Sequence, residues 1–365
     1  MALKRKPTSS EQGQITPPAA SGRPAGRRRT RLGAAAYTAI AATAAGTLAL
    51  SVGIAGAASA STYAATRHGT ASAAVTTNSG LPWASGVYLD NDTPAAVTAF
   101  GAWRGRSLDV VDDWSARSSW QDIVDPTWLY QRWSGMPYTM AFGVAMLPEN
   151  VRGVSLQACA NGTYNAHWRQ FGSVISSYGL GKSIIRLGWE FNGNWYVWQA
   201  KQPTVWAKCW QQVVTSARST APGLQWDWNV NRGVSSGLAD PTQAYPGNSY
   251  VDIVGVDSYD WWPAATTAAG WQSQLNGKQG LNYWLTFAEA HGKPLSVPEW
   301  GNVNAGISGG RDDPLYVQDM KGFFAANAAH MAFEANFQGA PSSTGGSYGT
   351  GTRLPAASAA YQAGF

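Results

Sequence analysis

The stretch LQWDWNVN, residues 224–231, alternates without a break: Gln225, Asp227, Asn229 and Asn231 fall on one face, Leu224, Trp226, Trp228 and Val230 on the other. A period of two over such a run predicts a β-strand, because successive side chains leave a strand on opposite sides. Both faces are specialised. The indoles predict packing beneath helices, and the amides and carboxylate predict a lined interior or mouth. Seven further runs read as strands: GVYLD (86–90), SLDVVDDW (107–114), YTMAFGVAML (138–147), SIIRLGWE (183–190), VDIVGVDSY (251–259), PLSVPEWG (294–301) and HMAFEANF (330–337). Between them TPAAVTAFGAW, NAHWRQFGSVISSYG, QPTVWAKCWQQVVTSARS, GKQGLNYWLTFAEAHG and DPLYVQDMKGFFAANA carry apolar residues at helical spacing, with Gly or Pro near their ends. Eight strands separated by helical segments predict an α/β fold, a (β/α)8 TIM barrel. One domain spans about 81–365, closed by the helix in LPAASAAYQAGF.

The N-terminal region has a different character. Eight of the 26 Lys and Arg lie in residues 1–60, with one of the 21 Asp and Glu, ahead of the uncharged run LGAAAYTAIAATAAGTLALSVGIAGAASA. A basic head, an apolar middle and the small residues Ala58-Ser59-Ala60 predict an export signal cleaved after Ala60. Arg27-Arg28-Arg29 loosely matches a twin-arginine route, and the run is also long enough to serve as an uncleaved anchor. The expected location is therefore outside the cell, free or membrane-anchored. Residues 61–80, small and polar without hydrophobic period, read as a flexible linker.

Without residues 1–60, 18 basic residues face 20 acidic ones. The net charge of +5 thus belongs to the leader, and a nucleic-acid partner loses its electrostatic support. Two cysteines, Cys159 and Cys209, stand 50 positions apart, and in an exported chain they are disulfide candidates, the alternative being two separate buried thiols. Four histidines in no ligand spacing predict no metal site and no cofactor.

In a barrel of this kind, chemistry gathers at the C-terminal ends of the strands. Five glutamates lie beyond residue 60, and two of them, Glu190 and Glu299, end the fourth and seventh strands. The period of two places Ile184, Arg186, Gly188 and Glu190 on one face, Leu295, Val297 and Glu299 on another, and Gly255, Asp257 and Tyr259 on a third. A pair of carboxylates on opposite sides of a mouth is what retaining glycoside hydrolysis requires: one protonated acid for the leaving oxygen and one carboxylate to attack the anomeric carbon. Arg186 or a nearby hydroxyl would keep the attacking group ionised, while burial and neighbouring negative charge would raise the acid.

The aromatic excess fits the same chemistry. Trp195, Tyr196, Trp198, Trp261, Trp262 and Trp300 lie in or beside loops after strands four, six and seven, where indole faces can stack on sugar rings. Trp103, Trp168, Trp206, Trp210, Trp271 and Trp284 sit on helical segments and are expected in the core. Gly233-Val234-Ser235-Ser236-Gly237 satisfies the GxSxG pattern of serine hydrolases, but a polar loop follows it and no His-Asp pair is suitably placed.

RLGWEFNGNWYVW, followed by VDIVGVDSYD and VPEWGN, resembles the clan A glycoside hydrolases, most closely the family 26 group typified by endo-β-1,4-mannanases. The resemblance covers roughly 86–340 and implies Glu190 as acid/base, Glu299 as nucleophile and Tyr259 as a tyrosine hydrogen-bonded to the nucleophile. It implies support of the site by Arg186 and sugar contacts by Asn192 and Trp198. One departure stands out: the position before the acid/base, usually His in family 26 and Asn in other clan A families, is Trp189, whose indole offers a single N–H donor. The expected substrate-binding set is Arg186, Trp189, Asn192, Trp195, Tyr196, Trp198, Asn231, Asp257, Tyr259, Trp262 and Trp300. The expectation is a secreted, monomeric, retaining endo-β-glycanase acting on β-mannan or another β-glycan, against the alternative of a non-catalytic carbohydrate-binding or cell-surface barrel.

Overall fold

The computed structural model describes residues 77–90, 92–304, 308–339 and 347–365. The expected export segment, and the linker up to residue 76, lie outside the described residues. The linker's last residues are fastened to the barrel. The Asp109 carboxylate accepts the backbone N–H of Asn78, that of Ser79 at 3.0 Å and that of Ser85 at 2.9 Å. Contacts with the barrel therefore include residues ahead of Leu81, namely Asn78 and Ser79.

In chain order the elements are β1 (Ser85–Leu89), α1 (Pro94–Arg104), β2 (Val110–Trp114), α2 (Trp120–Val124), α3 (Thr127–Trp133), β3 (Thr139–Val144), α4 (Leu156–Ala160), α5 (Asn165–Ser177), β4 (Ile184–Leu187) and α6 (Pro203–Arg218). The second half continues with β5 (Gln225–Asn231), β6 (Ile253–Asp260), α7 (Ala268–Asn276), α8 (Leu281–Ala290), β7 (Leu295–Asn302), α9 (Pro314–Ala326), β8 (Met331–Gln338) and α10 (Pro355–Gly364). The eight strands form one closed parallel barrel in sequence order, with β8 pairing back onto β1. Only a 3-10 turn, Pro241–Ala244, stands between β5 and β6, where the repeat would place a helix. Local chemistry sets several helix starts: Thr93 caps α1 and Asp313 caps α9 through side-chain oxygens, each followed by proline at the first helical position.

The narrow interior of the barrel is filled near its N-terminal end by Ala84, Val110, Ala141, Ile184, Ile253, Phe333 and Ala335. The larger apolar layer lies between sheet and helices, where Trp226 meets Trp210 at 6.4 Å and Trp228 meets Phe191 at 5.0 Å and Trp284 at 5.9 Å. The indole face of β5 thus packs outward and its polar face inward. Trp168, Trp206, Trp210, Trp271 and Trp284 are buried, and Trp103 stacks partly buried on Tyr361. On β6, Gly255 faces Asp227 so closely that a Cβ would sit 2.4 Å from the carboxylate oxygen, so glycine is required there.

One strand departs from the simple period. Against β8, Val297 pairs with Glu334 and Trp300 with Asn336; against β6, Ser296 pairs with Gly255 and Trp300 with Ser258. Relative to both neighbours β7 carries one extra residue, a β-bulge around Pro298, whose missing N–H suits an interrupted ladder. The bulge changes the face. Leu295 and Val297 pack in the outer layer while Ser296 points inward to Asp227 at 2.6 Å, yet beyond the bulge Glu299 points inward. The expectation that Leu295, Val297 and Glu299 share a face is therefore corrected.

Cys159 on α4 and Cys209 on α6 are joined by a disulfide, their Cα atoms 4.9 Å apart. The bond closes a sequence separation of 50 residues, and by loop-closure entropy it contributes about 4 kcal/mol. Cys209→Ser is expected to lower the unfolding free energy in urea by about that amount, and a variant as stable as the parent would contradict it.

Candidate active site

β4 stops at Leu187, and the chain then turns sharply instead of extending to Glu190 as the sequence suggested. Gly188 (φ 53°) and Glu190 (φ 51°) both adopt left-handed backbone. Glycine accepts this freely, whereas for a glutamate it stores strain of about 1–3 kcal/mol. Neighbouring strands hold the turn: Gly188 N–H donates to the Val144 carbonyl at 2.8 Å and Glu190 N–H to the Asn229 carbonyl at 3.0 Å. Ile184 and Arg186 do point into the barrel, but the turn, not the strand period, aims Glu190.

Arg186 is fully buried at the centre of the barrel. Its Nη2 donates to Glu299 Oε1 at 2.6 Å, to Asn229 Oδ1 at 2.8 Å and to both Asp257 oxygens at 3.1 Å. Nε also reaches Asn229 Oδ1 at 3.2 Å, Nη1 donates to Asp112 Oδ2, and the guanidinium carbon lies 5.2 Å from the Trp114 ring centre. Burial drives the Asp257 carboxyl well above the usual range, Glu299 adding to the effect and Arg186 opposing it. Asp112 is raised in the same way, by burial first.

The two glutamates sit in unlike surroundings. Glu299, 6% exposed, has both oxygens occupied: Oε1 by Arg186, and Oε2 by the Tyr259 hydroxyl at 2.6 Å. Glu190, 3% exposed, accepts among the described residues from neutral groups, Asn231 Nδ2 at 2.8 Å and Trp195 Nε1 at 3.1 Å. Burial, followed by the negative charge of Glu299, pushes Glu190 up to about 8. Asn231 is itself held by Asn192, whose Oδ1 accepts its backbone N–H at 2.9 Å and whose Nδ2 donates to its carbonyl at 2.8 Å.

An aromatic group stands beside Glu190. Trp189 Nε1 donates to the Tyr196 hydroxyl at 3.1 Å, Tyr196 stacks on Trp198 at 4.3 Å, and Trp198 Nε1 donates to the Trp189 carbonyl at 3.0 Å.

Arg186, Trp189, Glu190, Asn192, Trp195, Tyr196, Asn231, Asp257, Tyr259 and Glu299 are thus linked in one connected neighbourhood. Arg186, Asn192 and Asp257 are buried, with side-chain polar groups bonded to protein partners. Trp198 is fully buried behind Trp189 and Tyr196. Trp300 faces away from the mouth: beyond the bulge it lies on the outer side of β7, donates Nε1 to Glu334 Oε2 at 2.5 Å and packs on Phe365 at 5.1 Å. Its place in the expected substrate-binding set is therefore corrected. Trp262 is 64% exposed in the loop after β6, its ring 5.8 Å from that of Trp261. Ser235 of the GxSxG match serves as an acceptor for Asn192 Nδ2 at 3.2 Å.

Asp112, Asn229 and Trp114 were not in the expected set. The signal for Asp112 was the pair Asp112-Asp113 closing the second strand, where alternation turns one of two adjacent carboxylates inward.

Residues 183–298, from the start of β4 to the bulge of β7, match the family model described as Glycosyl hydrolase family 26. Endoglucanase H of Acetivibrio thermocellus is 26% identical over 230 residues, a match covering 58% of this chain and 23% of that protein's length. Among solved structures, a modular endo-β-1,4-mannanase from Cellulomonas fimi superposes with a TM-score of 0.55 at 15% identity, covering 72% of this chain and 64% of that one. The catalytic domain of a family 26 endo-β-1,4-mannanase from Bacillus sp. JAMB-750 gives 0.55 at 16% identity, covering 78% and 87%. At such identities the structural matches speak for the barrel alone. Fold, carboxylates and sequence match together place the chain among the glycoside hydrolases. Within that class, the matched segment is that of family 26.

Because the charge of Glu299 is the second cause raising Glu190, Glu299→Gln should move the Glu190 titration downward from about 8. Carboxyl-carbon NMR on the labelled protein reads this directly, and an unmoved midpoint would show that the two groups are not coupled.

Proposed function

We propose that this chain is an exported, retaining endo-β-glycanase that cleaves β-mannan or a related β-glycan, with Glu190 as acid/base and Glu299 as nucleophile. The observation that carries the reading is the asymmetry between the two carboxyls. Glu299 is bracketed by a cation and a phenol, while Glu190 is buried and raised to about 8. Two nearby titratable groups whose environments differ in this sense are suited to act as base and acid at neutral pH.

In the first step a Glu299 oxygen bonds to the anomeric carbon as the glycosidic C–O bond breaks, and the Glu190 proton passes to the departing oxygen. Forming the ester removes the charge on Glu299, and with it the electrostatic contribution that keeps Glu190 protonated. Glu190 then takes a proton from water as the water oxygen bonds to the anomeric carbon, and Glu299 leaves as carboxylate. Arg186 and Tyr259 remain in place to receive the returning charge.

The choice of β-glycan rests on the relatives, whose names denote an endoglucanase and β-1,4-mannanases. Export rests on the basic, apolar and small-residue sequence of residues 1–60. Among the described residues no helix is long and apolar enough to cross a membrane.

A panel of defined polysaccharides identifies the substrate. On it, Glu299→Ala should lose at least about a thousandfold in kcat. Glu190→Ala should be rescued by azide with a β-linked azide product, whereas an α-linked product would indicate inversion. Since Glu190 must carry its proton, kcat/KM should fall as pH rises through about 8, and a flat profile from pH 7 to 9 would remove Glu190 from the acid role.

A further inference from the structure

The position before Glu190 is occupied by Trp189, and its only polar atom is already engaged with Tyr196. An indole N–H can only donate, so at 3.1 Å it occupies a lone pair of the Tyr196 oxygen. The single phenolic proton must therefore point away from Trp189, and among the described residues no recorded bond gives it an acceptor.

The ring that carries this hydroxyl is clamped. Trp198 stacks on it at 4.3 Å with planes 14° apart, Trp189 meets it at 5.0 Å and 61°, and the Arg117 guanidinium lies 5.7 Å from its centre. Its hydroxyl also lies within the fields of both Glu190 and Glu299, whose charges add to burial in keeping the phenol protonated. A donor on a clamped ring, half-buried, within the electrostatic reach of two carboxylates and without a recorded protein acceptor among the described residues, is placed to meet a ligand oxygen.

We propose that the Tyr196 hydroxyl donates a hydrogen bond to one hydroxyl of the sugar seated between Glu190 and Glu299, with Trp189 setting its direction. Tyr196 is then a specificity-determining residue and Trp189 a positioning residue. The inference rests on the two-glutamate reading and deepens it. Selection at this point comes from a phenol steered by an indole, which discriminates sugars by whether an acceptor oxygen stands at one ring position. A site built to hydrogen-bond a substrate hydroxyl rejects the analogue lacking it far more strongly than an apolar wall does.

The test is a cycle between enzyme and substrate hydroxyls, using the full chain and aryl β-oligosaccharides of the sugar that the parent enzyme cleaves. Monodeoxy versions lack one hydroxyl at a time from the residue at the scissile bond. At one position the parent should lose about tenfold to a hundredfold in kcat/KM on removal of the sugar hydroxyl. In Tyr196→Phe, which keeps the stack on Trp198, that ratio should shrink to near one. Trp189→Phe, which leaves the phenol present but unsteered, should give an intermediate ratio. Equal deoxy penalties in parent and Tyr196→Phe at every position would overturn the proposal, even if both variants were slower or less stable overall. Retention of activity by Glu299→Ala would instead sink the two-glutamate reading, and the deoxy ratios would still report on Tyr196.

Discussion

A single buried guanidinium organises the interior of this barrel. Arg186 extends from β4 and is met by Asp112 from β2, Asn229 from β5, Asp257 from β6 and Glu299 from β7. A cation removed from water costs several kcal/mol unless its hydrogen-bonding capacity is met, and removing one partner of such a pair leaves the other exposed to that cost. Five strands must therefore keep their register for the charge to be tolerated. The requirement runs both ways: Asp112 and Asp257 are equally buried and depend on Arg186 for the attraction that opposes their desolvation.

That arrangement makes the two mouth glutamates unequal. Glu299 touches the charged interior directly, whereas Glu190 has no bond to Arg186, is supported by amide and indole N–H groups, and is raised by burial first and then by the charge of its counterpart. The difference does not come from the glutamates themselves. It follows from which strand end carries each, and from the left-handed turn that brings Glu190 back toward β5.

Much of this was legible in the sequence. The alternation of residues 224–231 gave the faces of β5, because in a barrel strand the inner surface is polar only where something must be held. The eight runs and the helical segments between them gave the closed barrel, and scarcity of glutamate drew attention to Glu190 and Glu299. What the sequence hid was geometry that breaks periodicity. Alternation alone sends Glu299 and Trp300 to opposite sides, and the bulge at Pro298, which no residue type announces, decides that Glu299 is the one facing inward. Glu190 was read as the end of a strand, since nothing in its identity signals a positive φ. The pairing of Asp112 with Arg186 has no local signature, because the two lie 74 residues apart along the chain.

The bulge in β7 has a consequence for how such a site can be lost. Glu299 faces inward because β7 counts one residue more than either neighbour between its flanking pairings. Deleting a single residue near Pro298 would keep the glutamate, the arginine and the tyrosine in the gene, yet turn the carboxylate out toward the helices. A copy of this chain could thus fall silent with every signature residue present. Judging whether a relative is alive requires comparing spacing as well as letters.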